Sequence, residues 1–142
     1  MTKRTVLKGA MGAAFAVVAV LSTLSSPAQA ASASDCDAGW VCIYENSNLS
    51  GSIATLAALG PKGSSSVDNF TPHKFHSGKY LNDQASSAIN KTGHDVCFYE
   101  HTSWRGRRTT VPAGEWVNFA AQGWPIGDLQ NDAASSVSWG AC

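Results

Sequence analysis

The sequence predicts an all-β protein, a sandwich of two units of about four strands each. Three observations support this prediction. Short β-favouring runs such as 41–45 and 96–100 recur along the chain, Gly, Asn, Ser and Pro interrupt it every few residues, and two blocks of sequence are duplicated in the same order. Two small units that cannot each bury an apolar face are expected to pack face to face. The predicted core includes Ile43, Phe98, Trp116, Phe119 and Trp139.

Length and charge limit the class of protein. The chain has 142 residues, 44% hydrophobic and 14% charged, with a formal net charge of zero. Because domains typically need roughly 100 to 150 residues, the length allows one modest domain and excludes a second large one. A neutral chain has no basic surplus to neutralise phosphates, so nucleic acid is not expected as the main partner.

The first thirty residues are predicted to be a secretory signal peptide. They contain a basic start, an apolar stretch and a small-residue cleavage signal: Lys3, Arg4 and Lys8, then 9–21, then 28–30. The apolar stretch covers 13 residues. A bilayer span needs about 20, so no membrane span is expected after the signal is removed. The exported product is then residues 31–142, which is 142 − 30 = 112 residues with a charge of 7 − 10 = −3.

All four cysteines lie in this exported part, where disulfides persist. Four cysteines allow three pairings. Cys36 and Cys42 are close enough in sequence for a local loop, and that pairing would leave Cys97 to bond with Cys142. No C-x-x-C motif occurs and export disfavours free thiols, so a zinc site or a thiol nucleophile is a weak alternative.

An internal duplication organises the exported chain. The block 42–51 matches 97–106 at an offset of 55, and 82–87 matches 131–136 at an offset of 49. The first copy carries extra residues at 60–78, which are rich in Ser, Gly and Pro and are predicted to form a loop.

Each copy contains a pattern typical of a folded hairpin. A tyrosine is followed five positions later by a large apolar residue and two positions after that by glycine: Tyr44, Leu49 and Gly51, then Tyr99, Trp104 and Gly106. We expect the tyrosine ring to cover the turn and the glycine to adopt backbone angles that a side chain would forbid. With N-D-x-x-S-S downstream, the pattern resembles the βγ-crystallin Greek-key motif over nearly all of 36–142. The resemblance implies one βγ-crystallin-like domain at 31–142, with Greek keys at about 36–93 and about 94–142.

A narrower resemblance concerns function. The opening C-x-A-G-x-x-C and the block C-[IF]-Y-E, which occurs twice, are similar to those of the secreted crystallin-like metallopeptidase inhibitors. This resemblance implies a monomeric, non-enzymatic inhibitor of a secreted thermolysin-type metallopeptidase. Val96 or Phe98 is expected to fill the apolar pocket beside the catalytic zinc. The implied inhibitory segment contains His94, Asp95, Val96, Cys97 and Phe98.

The matching segment departs from the inhibitory prototype, in which a short disulfide closes the loop. Residues 91–98 contain one cysteine, Cys97. A tight inhibitor presents a loop that is already ordered, so the missing bridge leaves a second hypothesis open. In that alternative the protein is a calcium-stabilised extracellular βγ-crystallin module without inhibitory activity, with a stress, cell-surface or antagonistic role.

The two N-D-x-x-S-S blocks are candidate calcium loops, since each offers a carboxylate, an amide and two hydroxyls. The family resemblance implies two ions with exchanged ligands, Asp83 serving the site of Ser135 and Asp132 that of Ser86. Backbone carbonyls and bracing side chains would complete the two sites: the carbonyls near Glu45 and Glu100 and at Gln84 and Ala133, and the side chains of Asn82 and Asn131. The alternative is that Asn, Asp and Ser only stabilise turns.

The remaining features predict less. No catalytic sequence motif occurs, and His73 and His76 lack a third metal ligand at a telling spacing. The basic cluster at 105–108 is interpreted as a solvated hairpin rim. Tryptophans can also stack on sugar rings, and three are candidates for exposure: Trp40, Trp104 and Trp124. Three N-x-[ST] glycosylation signals begin at Asn48, Asn69 and Asn90.

Overall fold

The computed structural model describes residues 32–63, 66–119 and 127–142. The described ranges contain no α-helix, and two 3-10 turns of three residues each lie at Ala33–Asp35 and Ala57–Leu59. The all-β prediction is confirmed. The strands in these ranges are β1 (Val41–Asn46), β2 (Ser50–Thr55), β3 (Ser66–Val67), β4 (Ser87–Asn90), β5 (Val96–His101), β6 (Arg105–Val111), β7 (Trp116–Asn118) and β8 (Ser136–Trp139).

The strands form two four-strand antiparallel sheets. The first has the order β2-β1-β4-β7 and the second has the order β3-β8-β5-β6. β3 comes from the first repeat but pairs with β8 of the second, while β7 comes from the second repeat and pairs with β4 of the first. Each sheet is therefore completed by a strand of the other repeat, so the two repeats are interlocked.

The apolar core lies between the two sheets. The ring centre of Phe98 lies 6.4 Å from that of Phe70 and 5.3 Å from that of Phe119, in edge-on and tilted arrangements that aromatic rings favour. Ile43, Phe98 and Phe119 are buried, as predicted. Trp139 is half-buried and packs against the edge of this core.

The prediction that Trp116 belongs to the core is wrong. Side chains alternate between the two faces of a strand, and in β7 it is Val117 that faces the core. Trp116 therefore points outward and is 47% exposed. Trp104 is 44% exposed, as predicted, whereas Trp40 is partly buried and Trp124 lies outside the described residues.

In the two matched hairpins, the glycines adopt the left-handed backbone conformation that the sequence pattern predicts. Gly51 has a φ of +78°, and a Cβ there would lie 2.6 Å from the Asn46 side-chain nitrogen; the matched Gly106 has a φ of +85°. Leu49 and Trp104 also have positive φ, 54° and 58°. A left-handed conformation costs a residue with a side chain roughly 1–2 kcal/mol, so tertiary contacts hold these two residues in place.

The two disulfides join the pairs that proximity favours. Cys36 bonds to Cys42, six residues away, and Cys97 bonds to Cys142, 45 residues away. Cys42 and Cys97 are matched positions of the duplication, at the same place in β1 and β5. Each disulfide therefore fixes a flanking segment to the equivalent strand of one repeat.

The two bridges should differ in their contribution to stability. A cross-link restricts the unfolded chain more when it closes a longer loop, so loss of the 45-residue bridge should cost about 4 kcal/mol and loss of the six-residue bridge about 2 kcal/mol. Urea unfolding of the Cys97→Ala/Cys142→Ala and Cys36→Ala/Cys42→Ala variants measures both values. Equal losses, or the reverse order, would contradict this explanation.

Candidate functional site

The segment predicted to be inhibitory divides into an accessible part and a buried part. Val96, Cys97 and Phe98 are wholly buried in β5, which lies between β8 and β6. The expectation that Val96 or Phe98 enters a peptidase cleft is therefore revised, because both side chains belong to the interior. The part that a partner can reach is the turn 92–95, in which Gly93 and His94 are exposed.

A buried asparagine orders this turn. Asn90, the last residue of β4, is wholly buried, and its side-chain nitrogen donates to the carbonyls of His94 at 2.7 Å and Val111 at 3.0 Å. Its side-chain oxygen accepts hydrogen bonds from the backbone nitrogen of Thr92 at 3.1 Å and from the Thr92 hydroxyl at 2.6 Å. Four hydrogen bonds from one side chain thus fix both ends of the turn. Burial also makes Asn90 inaccessible for glycosylation in the folded chain.

Further contacts hold the turn against the rest of the sandwich. The Asp95 carboxylate accepts a hydrogen bond from the backbone nitrogen of Ala113 at 3.0 Å, and the Asp95 carbonyl accepts one from Gly140 at 2.7 Å. The ring of His94 stacks on that of Trp139 at 4.9 Å between centres. The turn is therefore ordered by hydrogen bonds and stacking rather than by a disulfide of its own.

The residue before the turn connects it to the first disulfide loop. The Lys91 ammonium donates to the carbonyls of Ala33 at 2.7 Å and Cys36 at 2.6 Å, and the Lys91 backbone exchanges hydrogen bonds with Gly39 and Trp40. The Cys36–Cys42 bridge closes that loop, so the hydrogen bonds of Lys91 attach the start of the turn to a cross-linked part of the chain.

The two N-D-x-x-S-S blocks meet in the fold and exchange side chains. The Ser135 hydroxyl donates to the Asp83 carboxylate at 2.9 Å, and the Ser86 hydroxyl donates to the Asp132 carboxylate at 2.8 Å. The structure therefore brings together the pairs named as shared calcium ligands. Sequence position alone does not give this proximity, since the partners are 52 and 46 residues apart.

The backbones of the two blocks are equally reciprocal. Asp83 and Asp132 both have a φ of 53°. The Asp83 nitrogen donates to the carbonyl of Ala134 at 3.1 Å, and the Asp132 nitrogen donates to that of Ala85 at 3.0 Å. Each block therefore holds the left-handed aspartate of the other, and each carboxylate accepts a hydrogen bond from a serine of the other block.

The spacing of the paired oxygens is compatible with calcium coordination, and it is also the spacing of an ordinary O–H···O hydrogen bond. Two oxygens about 72° apart at about 2.4 Å from a calcium ion, as in a pentagonal bipyramid, lie about 2.8 Å from one another. The two Asp–Ser oxygen pairs have separations of 2.8 and 2.9 Å. In addition, the buried Oδ1 of Asn82 has no hydrogen-bond partner among the described residues, while its side-chain nitrogen donates to the Asp83 carboxylate at 2.7 Å. Gln84 donates its side-chain nitrogen to the Asp83 carbonyl at 2.5 Å.

The side chains of Glu45 and Glu100 are engaged elsewhere. The Glu45 carboxylate lies 2.8 Å from the Lys79 ammonium. The Glu100 carboxylate accepts hydrogen bonds from the guanidinium and then the backbone nitrogen of Arg107, which lower the pKa of Glu100 to about 2. The family resemblance names the backbone carbonyls near these two residues as calcium ligands, and the side-chain contacts leave those carbonyls as the candidates.

Other metal chemistry finds no support in the described ranges. They contain no group of three or more His, Cys, Asp or Glu side chains that could hold a metal ion. His76 lies 3.3 Å from the Thr55 hydroxyl through Nε2. Each candidate calcium loop offers a single carboxylate with hydroxyl and carbonyl oxygens, so it is not a group of this kind.

The fold is that of the βγ-crystallins. The chain is similar to a structure described under the evolution of the eye lens βγ-crystallin domain fold, with 20% identity, a TM-score of 0.55, and coverage of 75% of this chain and 90% of that chain. It is also similar to a βγ-crystallin from Ciona intestinalis, with 20% identity, a TM-score of 0.52, and coverage of 71% and 99%. Among curated proteins, none matches the chain significantly in sequence.

Residues 29–111, more than half of the 142-residue chain, match the profile of peptidase inhibitor family I36. The chain belongs to this family, so it is an inhibitor-family protein rather than an enzyme, and its expected partner is a peptidase. Family and disulfides together indicate an extracellular protein. Within 32–63, 66–119 and 127–142, no helix has the length and apolar character needed to cross a membrane.

Asn90→Ala should disorder the turn and destabilise the fold. The substitution removes the Asn90 donor from the carbonyl of buried Val111 and from that of His94, and it removes the acceptor of Thr92, so the free energy of unfolding should fall by about 2–4 kcal/mol. The amide of Thr92 should exchange with solvent faster, as hydrogen-exchange mass spectrometry would record.

Asn118→Ala is the matched control, because Asn118 also binds through its side-chain amide, to Asn48 on the other hairpin. It should leave exchange at 92–95 unchanged. If Asn90→Ala fails to fold, Thr92→Val removes the hydroxyl contacts alone and should still speed exchange in the turn. Unchanged exchange in Thr92→Val would contradict the role given to the Asn90 network.

Proposed function

We propose that the protein is a secreted inhibitor of thermolysin-type metallopeptidases that presents the turn 92–95 to the active-site cleft. The observation that supports this proposal most strongly is the ordering of that turn by the buried Asn90 side chain. A binding loop that is already ordered loses less conformational entropy when it enters a cleft. Gly93 and His94 provide the exposed surface.

The hydrogen bonds of the turn replace the function of the short disulfide in the inhibitory prototype. Removal of water from an occupied cleft strengthens such hydrogen bonds, because they then lie in a medium of lower polarity. The peptidase class follows from the resemblance of the C-x-A-G-x-x-C opening and the paired C-[IF]-Y-E blocks. Membership of family I36 supports a peptidase partner of some class.

We also propose that the protein binds up to two calcium ions at the paired blocks. Asp83 with Ser135 would hold one ion and Asp132 with Ser86 the other, with backbone carbonyls completing each shell. The ion would supply cross-linking of the two repeats at the place where they exchange side chains. With one carboxylate per site, the affinity should be modest, micromolar or weaker.

Export is part of the same proposal. Residues 1–30 are proposed to be a cleaved signal peptide, and they lie outside the described residues. The product would be a single domain, 31–142, that acts as a monomer. The disulfides are consistent with export, because they persist in oxidising compartments.

A bulky charge at the tip of the turn should abolish inhibition. A Cβ added at Gly93 meets no atom of the described part of the chain within 4 Å, so Gly93→Glu should fold normally and still clash with an enzyme cleft. We expect the inhibition constant against thermolysin to rise at least tenfold. The measurement is residual peptidase activity against inhibitor concentration.

Ala57→Glu is the control for added charge, since Ala57 is exposed on the second 3-10 turn, which does not include the candidate loop. It should inhibit as the wild type does. If wild-type protein at micromolar concentration fails to inhibit thermolysin-type peptidases, the inhibitor proposal is wrong for this enzyme class, and the calcium-stabilised module becomes the better interpretation.

Calcium binding should depend on each aspartate separately. Calorimetry of the wild type should show two equivalents, and Asp83→Asn and Asp132→Asn should each remove one. Ser135→Ala should weaken the same site as Asp83→Asn, because the two side chains share it. The melting temperature should rise with calcium, since an ion that binds only the folded state stabilises it.

Asp128→Asn removes an exposed carboxylate from outside the two blocks and is the charge-matched control. It should retain both equivalents. Absence of both binding heat and a rise in melting temperature at excess calcium would refute the calcium proposal, as would an equal loss in Asp128→Asn.

A further inference from the structure

An open depression of about 380 Å³ lies on the second sheet, and none of its lining residues belongs to the turn or to the Asp–Ser pairs. Its lining residues come from three strands and one hairpin turn, and none of them carries a charge: Ser66, Tyr99, Trp104, Ser138 and Trp139. The volume lies near the lower end of the range of about 300–1,000 Å³ for small-ligand sites.

The lining combines aromatic faces with hydroxyl groups. The hydroxyls of Tyr99 and Ser138 lie 3.3 Å apart. The exposed indole of Trp104 is held in place, because its ring nitrogen donates to the carbonyl of Val137 at 3.4 Å and its backbone nitrogen donates to the Ser136 hydroxyl at 3.2 Å. An exposed aromatic ring that is already fixed loses little entropy when a ligand stacks on it.

The matched place in the first repeat is covered by the chain itself. There Tyr44, Leu49 and Ile89 form a buried apolar cluster with the first disulfide, and Ala33 packs against it. The Tyr44 hydroxyl donates to the Ser32 carbonyl at 2.8 Å. In the first repeat, the surface around Tyr44 is therefore occupied by a segment of the chain itself, which shows that such a surface can bind another group.

The second repeat differs at the matched positions. Trp104 stands where the first repeat has Leu49, and Ser138 stands where it has Ile89, while the tyrosine is kept as Tyr99. The changes turn an apolar, covered surface into an amphipathic, open one. An exposed tryptophan beside hydroxyl groups is suited to a ligand that has both apolar faces and a polar rim.

We propose that this depression binds a neutral glycan of β-linked pyranose rings. Such rings carry their hydroxyls at the rim and expose flat C–H faces, which stack on indole and phenol, while the rim hydroxyls match Ser138 and Tyr99. The uncharged lining favours a neutral ligand. The volume accommodates one or two rings. The depression includes no residue of the turn 92–95, although its lining residue Trp139 stacks on His94 of that turn.

The test titrates the exported chain separately with cellohexaose and with fully N-acetylated chitohexaose, both neutral, followed by calorimetry and tryptophan fluorescence. Trp104→Ala should weaken binding at least tenfold, and Trp104→Tyr should restore part of it by retaining an aromatic face. Ser138→Ala tests the hydroxyl side and should weaken binding even if the tryptophan variant folds poorly. Trp116→Ala is the matched control, since Trp116 is similarly exposed but lies on the first sheet.

Binding of either oligosaccharide, lost in Trp104→Ala and Ser138→Ala and kept in Trp116→Ala, would support the proposal and identify the preferred sugar. The proposal is overturned if the wild type binds neither oligosaccharide at millimolar concentration, or if Trp116→Ala loses as much affinity as Trp104→Ala. Peptidase inhibition by Trp104→Ala should equal that of the wild type, so this site and the inhibitory turn can fail separately.

Discussion

The exchange of one strand between the two repeats is the constraint on which the rest of the structure depends. β3 of the first repeat completes the second sheet, and β7 of the second repeat completes the first. Neither repeat has a complete sheet of its own, so each needs the other to bury the core around Phe98. The same interlock brings Asp83 to Ser135 and Asp132 to Ser86, which places the candidate calcium loops at the junction of the repeats.

The accessible turn depends on the same interlock. Asn90 ends β4 in the first sheet, yet its side chain reaches the carbonyl of Val111 in β6 of the second sheet as well as that of His94. The turn is therefore fixed between two sheets, one of which is held by the Cys97–Cys142 bridge. Shared elements of this kind allow a small domain to present a rigid surface, because a buried and fully satisfied polar network specifies one conformation.

Sequence alone predicts the fold well and the site in part. The tyrosine–apolar–glycine spacing is local, so it predicts the hairpins and the left-handed Gly51 directly. β7 has three residues, so the alternation of polar and apolar residues is too short to show whether Trp116 or Val117 points toward the core. The role of Asn90 in ordering the turn cannot be predicted from the sequence, because its partner Val111 lies 21 residues away on another strand. In the sequence, Asn90 is recognisable only as the first residue of a glycosylation signal. The buried state of Val96 follows from the position of β5 within the sheet, which requires the topology.

The central claim is that the ordered turn at 92–95 contacts the peptidase. Hydrogen exchange of the exported chain, recorded with and without a thermolysin-type peptidase, tests it most directly. The claim predicts new protection at 92–95 and at neighbouring residues that contact the turn, with little change in the hairpin tips near Leu49 and Trp104. Protection that falls on those tips while exchange at 92–95 stays unchanged would contradict it.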